Sequence, residues 1–244
     1  MKNLCCLAVA LVLGFSLSAR AGSVGINFVG SDSEKSAMKP DDKAGAESAT
    51  QANWNNVTVS NDDPNGHGNT GRKAVLHNEA NKEAKNMSVL VKATGNTQIF
   101  PTDTVEWGFS EGNLKLMSGT VCPQPSIAIN NIPYKHYDVY VYFTAGAQGG
   151  VGSATISLGK NAKGAIDDKS TYFYNVAWAE GAMVKSDFTT LDDAKAGGAG
   201  NFVRFRNNTA GSIVIDCDGK LGGGWTGCAA VQIVETPEVK PAKK

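Results

Sequence analysis

The sequence lacks an excess of charge of either sign. Its 23 lysines and arginines balance 23 aspartates and glutamates, so the formal net charge at pH 7 is zero. Proteins that are drawn to nucleic acid or to an anionic membrane surface usually carry a basic excess, and we therefore expect neither partner. No long apolar run follows the first 17 residues, so we expect no membrane span.

The one long apolar run stands at the start of the chain. Lys2 precedes it, residues 4–17 are mostly apolar, and the small residues Ala19 and Ala21 follow it. This combination is typical of a secretory signal peptide. We predict that residues 1–21 are a signal peptide, and that the mature protein is secreted, either extracellular or at the cell surface.

Cysteine is scarce after this leader. Only Cys122, Cys217 and Cys228 remain, and an odd number in an oxidising compartment allows at most one internal disulfide. Cys217 and Cys228 flank a glycine-rich turn between two strand-like runs, so we predict a disulfide between them across a β-hairpin. A bridge from Cys122 to either partner, or three buried thiols, are the alternatives that the spacing leaves open.

Helix patterns are also few, whereas glycine is abundant, with 28 residues. Residues 137–144 give the clearest strand, since β-branched and aromatic residues alternate there and both faces are fairly apolar, which favours a central strand. Residues 112–119 predict one short helical turn. The other predicted strands are 23–29, 54–60, 87–93, 126–132, 154–158, 171–176, 201–206, 212–216 and 228–234.

Short strands separated by turn residues, without a βαβ rhythm, indicate an all-β protein. We predict an antiparallel β-sandwich of the jelly-roll, galactose-binding-like kind. No repeat or long linker divides the chain. We therefore expect a single domain over residues 22–236, followed by a flexible basic tail over residues 237–244.

Residues that could form a catalytic centre are sparse. The three histidines are scattered, and none is paired with a credible serine or cysteine nucleophile. Residues 108–112 match the G-x-S-x-G pattern around Ser110, but no α/β pattern surrounds them as a nucleophile elbow requires, so we interpret them as a turn. We predict that the protein is not an enzyme; a hydrolase with an unmarked carboxylate pair remains the alternative.

One segment resembles the first half of a calcium loop. Asn61, Asp63 and Asn65 place oxygen-bearing side chains at alternate positions, and Gly66 follows. The position where a calcium loop has its bidentate acid holds Arg72, so another residue would have to supply that ligand. The segment is thus interpreted either as a site for a structural calcium ion or as a solvated turn. We predict no other cofactor.

Aromatic residues are the remaining indication of function. A sugar ring stacks its C–H face on an indole while neighbouring amides bind the hydroxyls. Trp54 stands among Asn53, Asn55 and Asn56 and opens a strand that has other apolar residues for the core. We therefore predict that Trp54 is an exposed stacking platform and that the three asparagines bind ligand, whereas Trp107 and Trp225 lie under turns.

Residues 23–30, 53–56 and 130–143, with residues 200–205 and 229–234, carry a resemblance over most of the chain. Together they resemble a type of secreted protein abundant in Planctomycetes, Verrucomicrobia and related bacteria, most of which are uncharacterised. The layout is also similar to galactose-binding-like and malectin-like sandwiches. This resemblance implies that the first and last strands lie together and that the domain is of a largely carbohydrate-binding class, often with a structural calcium ion.

These observations favour a secreted, non-catalytic, carbohydrate-binding protein. The main alternative is a structural or adhesive surface protein that self-associates or binds other envelope proteins. The near-zero charge, the odd cysteine and strand edges that could pair between chains support that alternative.

Overall fold

The structure, a computed structural model, describes residues 22–29, 33–59, 69–93, 98–99, 108–146, 149–158, 170–176 and 181–238. The predicted signal peptide lies outside these ranges. So do Asn61, Asp63 and Asn65 of the predicted calcium loop and residues 239–244 of the predicted tail. Within the described ranges, no helix has the length and apolar character needed to cross a membrane.

Strands dominate the described chain, and the prediction of an all-β protein is confirmed. Three short helices accompany them, α1 (Ser33–Ser36), α2 (Glu111–Ser118) and α3 (Leu191–Ala196), with a 3-10 turn at Glu47–Ala49. The strands are β1 (Ser23–Val29), β2 (Asn55–Thr58), β3 (Asn69–Lys73), β4 (Ser88–Ala93), β5 (Gln98–Ile99), β6 (Gly119–Thr120), β7 (Pro125–Asn130), β8 (Tyr137–Ala145), β9 (Val151–Leu158), β10 (Thr171–Asn175), β11 (Phe202–Asn208), β12 (Ser212–Gly222) and β13 (Thr226–Glu235).

The strands form two large sheets. The first sheet has the order β11-β8-β13-β1-β2, and the second has the order β10-β9-β12-β7-β4-β3. Neighbouring strands are antiparallel, except that β1 and β2 run parallel. The two sheets form the predicted sandwich. The first and last strands, β1 and β13, are neighbours, as the family resemblance implied.

The main core lies between the two sheets, because the strands direct alternate side chains inward. β1 contributes Val24, Ile26 and Phe28, all fully buried. Phe143 of β8 stacks on Tyr174 of β10 with ring centroids 3.6 Å apart. The inward side chains are thus large and apolar, and their removal from water is the main stabilising contribution to the fold.

The outer face of the first sheet is covered too. Residues 38–54 and helix α2 pack over it, and together with Tyr140 and Tyr142 of β8 they form a second apolar cluster. All nine residues of β8 are therefore buried, and the strand lies between β11 and β13. This confirms the prediction of a central strand and explains why both of its faces are apolar.

Helix α2 matches the predicted helical turn at 112–119 closely. Its N-cap is Ser110, whose Oγ accepts a hydrogen bond from the Asn113 amide at 3.4 Å. An N-cap serine satisfies one of the amides that the first helical turn leaves unpaired. Ser110 is therefore a capping residue in this protein.

The predicted hairpin of β12 and β13 is wrong, because these strands belong to different sheets. Between them the backbone turns sharply: Gly223 has a φ of +67°, and a Cβ at Gly224 would overlap the carbonyl oxygen of Gly149. Glycines permit this crossing from one sheet to the other. A glycine-rich turn in the sequence does not by itself distinguish a hairpin from such a crossing.

One side of the sandwich is closed by the chain between β10 and β11. Lys185 forms a bridge with Phe202 of β11, and Phe188 forms one with Phe173 of β10. The Ser186 amide donates to the Phe202 carbonyl at 2.7 Å. The outer edges of β10 and β11, one in each sheet, are thereby partly occupied.

Candidate functional site

Trp54, the predicted stacking platform, is buried, with 5 % of its surface exposed. Its ring meets that of Tyr142 edge-on, with centroids 6.2 Å apart, and its Nε1 donates to the Gln51 carbonyl at 3.1 Å. Gly25 of β1 makes room for the indole, because a Cβ at that position would lie 2.5 Å from Trp54 Cε3. The expectation of an exposed Trp54 is wrong, since the outer face of the first sheet is itself apolar and needs a cover.

Asn55 fastens β2 to two other segments. Its Nδ2 donates to the carbonyl oxygens of Gly25 at 2.9 Å and His77 at 2.7 Å, and its Oδ1 accepts from the His77 amide at 2.9 Å. The residue is only 3 % exposed. These bonds tie β2 to the backbone of β1 and of the segment around His77, so Asn55 has a structural role.

Asn56 and Asn53 also bind backbone groups. Asn56 Oδ1 accepts from Asn27 Nδ2 at 2.9 Å and from the Met38 amide at 3.0 Å, while its Nδ2 donates to the Met38 carbonyl at 2.8 Å. Asn53 adopts a left-handed conformation with φ of 53° and donates to the Glu79 carbonyl at 2.7 Å. Asparagine tolerates that conformation better than most residues.

The four predicted residues nevertheless lie together. Trp54 and the three asparagines line one cavity of about 260 Å³, which Lys73 and His77 also line. Their grouping in the sequence thus corresponds to one place in the structure. Most of the hydrogen-bonding groups of these four residues bind other groups of the protein. The cavity is therefore polar, but few of these groups are left to bind a ligand.

A second cavity, of about 470 Å³, adjoins the first through Lys73 and is also lined by Arg72, Asn86, Ser88 and Asn131. We call the two cavities together the Lys73 groove. Lys73 is the last residue of β3, an edge strand of the second sheet. Burial lowers the pKa of its ammonium group, and no ion pair or hydrogen bond engages this group within the described part of the chain.

Trp225 has the opposite environment to Trp54. It lies in the connection between β12 and β13 and is 53 % exposed, more than any other large apolar residue that the structure describes. The ammonium group of Lys220 lies 4.9 Å from the centroid of its ring, and the amide of Lys220 donates to Asp218 Oδ1 at 3.0 Å. The expectation that Trp225 is tucked under a turn is wrong, because the turn itself is packed inward on Gly149 and carries the indole outward.

The three cysteines are buried thiols in the structure. Cys217 and Cys228 lie on β12 and β13, in opposite sheets, and both belong to the core between those sheets. Burial raises the pKa of the Cys228 thiol, and the adjacent Cys217 side chain raises it further. The hairpin that the predicted Cys217–Cys228 disulfide assumed is absent, and the pairing itself stays a prediction.

Among the residues that the structure describes, no group of three histidine, cysteine, aspartate or glutamate side chains is placed to hold a metal ion. The predicted calcium ligands Asn61, Asp63 and Asn65 lie outside those residues. Neither a protein-family model nor a curated protein sequence matches the chain.

The sequence did not single out Lys73 as a groove residue, and we expected Trp225 to be buried under a turn. A lysine that follows an arginine near the end of a short strand carries no local signal of burial. Four glycines at 219 and 222–224 precede Trp225, and such a run leaves few neighbouring side chains to cover an indole. The glycine run therefore indicated that Trp225 is exposed.

Proposed function

We propose that the protein is a secreted, non-catalytic, carbohydrate-binding protein of the galactose-binding-like, jelly-roll kind, with Trp225 as its stacking platform. The observation that carries this proposal is the 53 % exposure of Trp225. An exposed indole is unfavourable in water and offers the flat apolar surface on which sugar rings stack. The pairing of β1 with β13 supports this class, because the first and last strands of galactose-binding-like sandwiches lie together.

The backbone beside Trp225 supports a preformed site. Gly224 packs against the Gly149 carbonyl, and a Cβ at Gly150 would lie 2.6 Å from the Thr226 side chain. Close backbone packing of this kind holds a connection in one conformation. A binding surface that is ordered before the ligand arrives loses less conformational entropy on binding.

A charged group lies close to the indole. The Lys220 ammonium group lies over one face of the ring, where a cation–π contact helps to orient the indole. Asp218 Oδ1 accepts from the Lys220 amide at 3.0 Å, and Asp218 is half-buried. An aromatic face flanked by hydrogen-bonding groups is the arrangement that sugar hydroxyls and C–H faces require together.

The test is affinity electrophoresis of the mature protein in gels that contain single polysaccharides, neutral and acidic. We expect retention of the wild type on at least one of them and a loss of about tenfold or more in affinity for Trp225→Ala. Val75→Ala is the matched control, because Val75 is an exposed apolar residue at 38 % that lines neither cavity of the Lys73 groove. Equal retention of both variants would overturn the proposal.

Self-association is a second candidate because an exposed apolar residue lies close in sequence to an edge strand. β2 and β3 are edge strands, and Val75 beside them is 38 % exposed. Arg72 and Lys73 on β3 oppose such pairing, because charged residues on an edge discourage contact between copies. Light scattering over a range of concentrations separates the two functions: a strict monomer that is retained by polysaccharide supports binding alone.

A further inference from the structure

The Lys73 groove is a separate surface from Trp225. Trp225 directly precedes β13, whereas Asn53, on the wall of the groove, donates to the Glu79 carbonyl, and the Glu79 amide donates to Ser23. Ser23 pairs with Val234 near the end of β13. Since β13 has ten residues at roughly 3.3 Å each, the two surfaces lie near opposite ends of the sandwich.

The charge of the groove is positive. Arg72 and Lys73 line it, and no aspartate or glutamate does so among the described residues. Lys73 is half-buried, so its ammonium group has lost part of its hydration. A cation that is partly desolvated and unpaired is stabilised by an anion from outside.

The walls of the groove carry amides that are free to bind hydroxyl groups. Asn81 and Asn86 are exposed and adopt left-handed conformations with φ of 58° and 65°. Neither amide side chain forms a hydrogen bond within the described chain. The backbone of Asn86 is fixed further, because its carbonyl accepts from Asn131 Nδ2 at 3.0 Å.

We propose that the Lys73 groove binds an acidic polysaccharide, with the carboxylate of a uronic acid at the Lys73 ammonium group and the sugar hydroxyls at the amides of Asn81 and Asn86. The positive charge selects the acid, and two cavities of about 470 and 260 Å³ that share Lys73 offer room for a chain of sugars more than for one small anion. This inference rests on the proposed carbohydrate-binding function but assigns a different surface to it.

The experiment uses affinity electrophoresis in gels of polygalacturonate, of sulfated carrageenan and of neutral galactan. We expect Lys73→Gln to weaken retention by polygalacturonate about tenfold, which is typical of a lost charge-assisted contact, and to leave retention by galactan unchanged. Lys73→Arg should keep most of the affinity. The matched control is Lys92→Gln, which removes an exposed lysine of β4 that does not line the groove and should change affinity less than twofold.

The outcomes separate this inference from the proposed function. If Lys73→Gln and Lys92→Gln behave alike on polygalacturonate, the uronic acid site is wrong even where Trp225→Ala still abolishes binding to galactan. If carrageenan retains the protein and polygalacturonate does not, the uronic acid site is also wrong. If Trp225→Ala has no effect on any gel while Lys73→Gln does on polygalacturonate, the groove is supported and the Trp225 platform fails.

Discussion

Trp54 and Trp225 are the same residue type in opposite surroundings, and the difference comes from what each neighbouring surface needs. Trp54 packs against Gly25 and Tyr142 and completes the cover on the outer face of the first sheet. Trp225 stands on a crossing between the sheets whose backbone is packed inward, so its ring is left in water. A tryptophan is thus buried where it covers an apolar sheet face. It is exposed where the neighbouring backbone packs directly on other backbone and leaves no surface for the indole to cover.

The largest expected effect is on stability. Trp54→Ala should lower the free energy of unfolding by about 3–5 kcal/mol, because it opens a cavity in the outer cluster. Trp225→Ala should lower it by less than ~1 kcal/mol, since an exposed side chain has few contacts to lose. Urea unfolding of both variants measures the difference. Similar losses for the two would remove the contrast between the surroundings of these tryptophans.

A smaller effect is expected from the amide that ties β2 to its neighbours. Asn55→Ala should lower the free energy of unfolding by about 2–3 kcal/mol, because it removes three hydrogen bonds to the backbone of Gly25 and His77. Asn130→Ala is the control, since Asn130 is exposed. If chemical denaturation finds Asn55→Ala as stable as Asn130→Ala, the asparagines beside Trp54 are not structural and their assignment to a ligand regains support.

The smallest effect concerns an ion pair that holds α2 to the segment covering the sheet. Lys115 Nζ lies 2.9 Å from Asp42 Oδ2, and both side chains are largely buried. Burial acts to raise the pKa of Asp42, but the hydrogen bonds from the Lys39 amide and from Lys115, with the positive charge of Lys115, outweigh it, and the pKa is lowered. Asp42→Asn should therefore cost about 1 kcal/mol at pH 7.

This contribution has a defined dependence on pH. A carboxyl whose pKa is lower in the folded state stabilises the fold above the unfolded pKa, about 4, and loses that contribution as the pH falls through the folded value. The stability difference between wild type and Asp42→Asn should thus vanish in strong acid. Asp41→Asn, at an exposed neighbour, should show little difference at any pH; a constant deficit for Asp42→Asn would contradict the ion pair.

Much of the fold followed from the sequence because strand patterns are local. The period-two alternation at 23–29 and the doubly apolar run at 137–144 correspond to β1 and β8 nearly residue for residue. The extra buried face of β8 even signalled that something covers the first sheet. Residues 38–54 and α2 form that cover. Their apolar residues follow no regular period, so the sequence did not identify these segments as the cover.

The candidate site followed less well because exposure depends on the whole chain. The grouping of Trp54 with three asparagines was real, and they line one cavity, but whether their amides face ligand or backbone is set by residues such as Met38 and His77 elsewhere in the sequence. The disposition of Cys217 and Cys228 depended likewise on whether the glycines between them make a hairpin or a crossing. Sequence patterns distinguish poorly between these alternatives.

The pairing of β1 with β13 has a mechanical consequence. The Glu235 amide donates to the Gly22 carbonyl at 2.8 Å, so the chain enters the first sheet and leaves its last strand at the same corner. Tension applied between these two points would peel the two strands apart, breaking their backbone bonds one after another from that corner. The opposite end, where Trp225 stands, would carry no load until most of the ladder had opened.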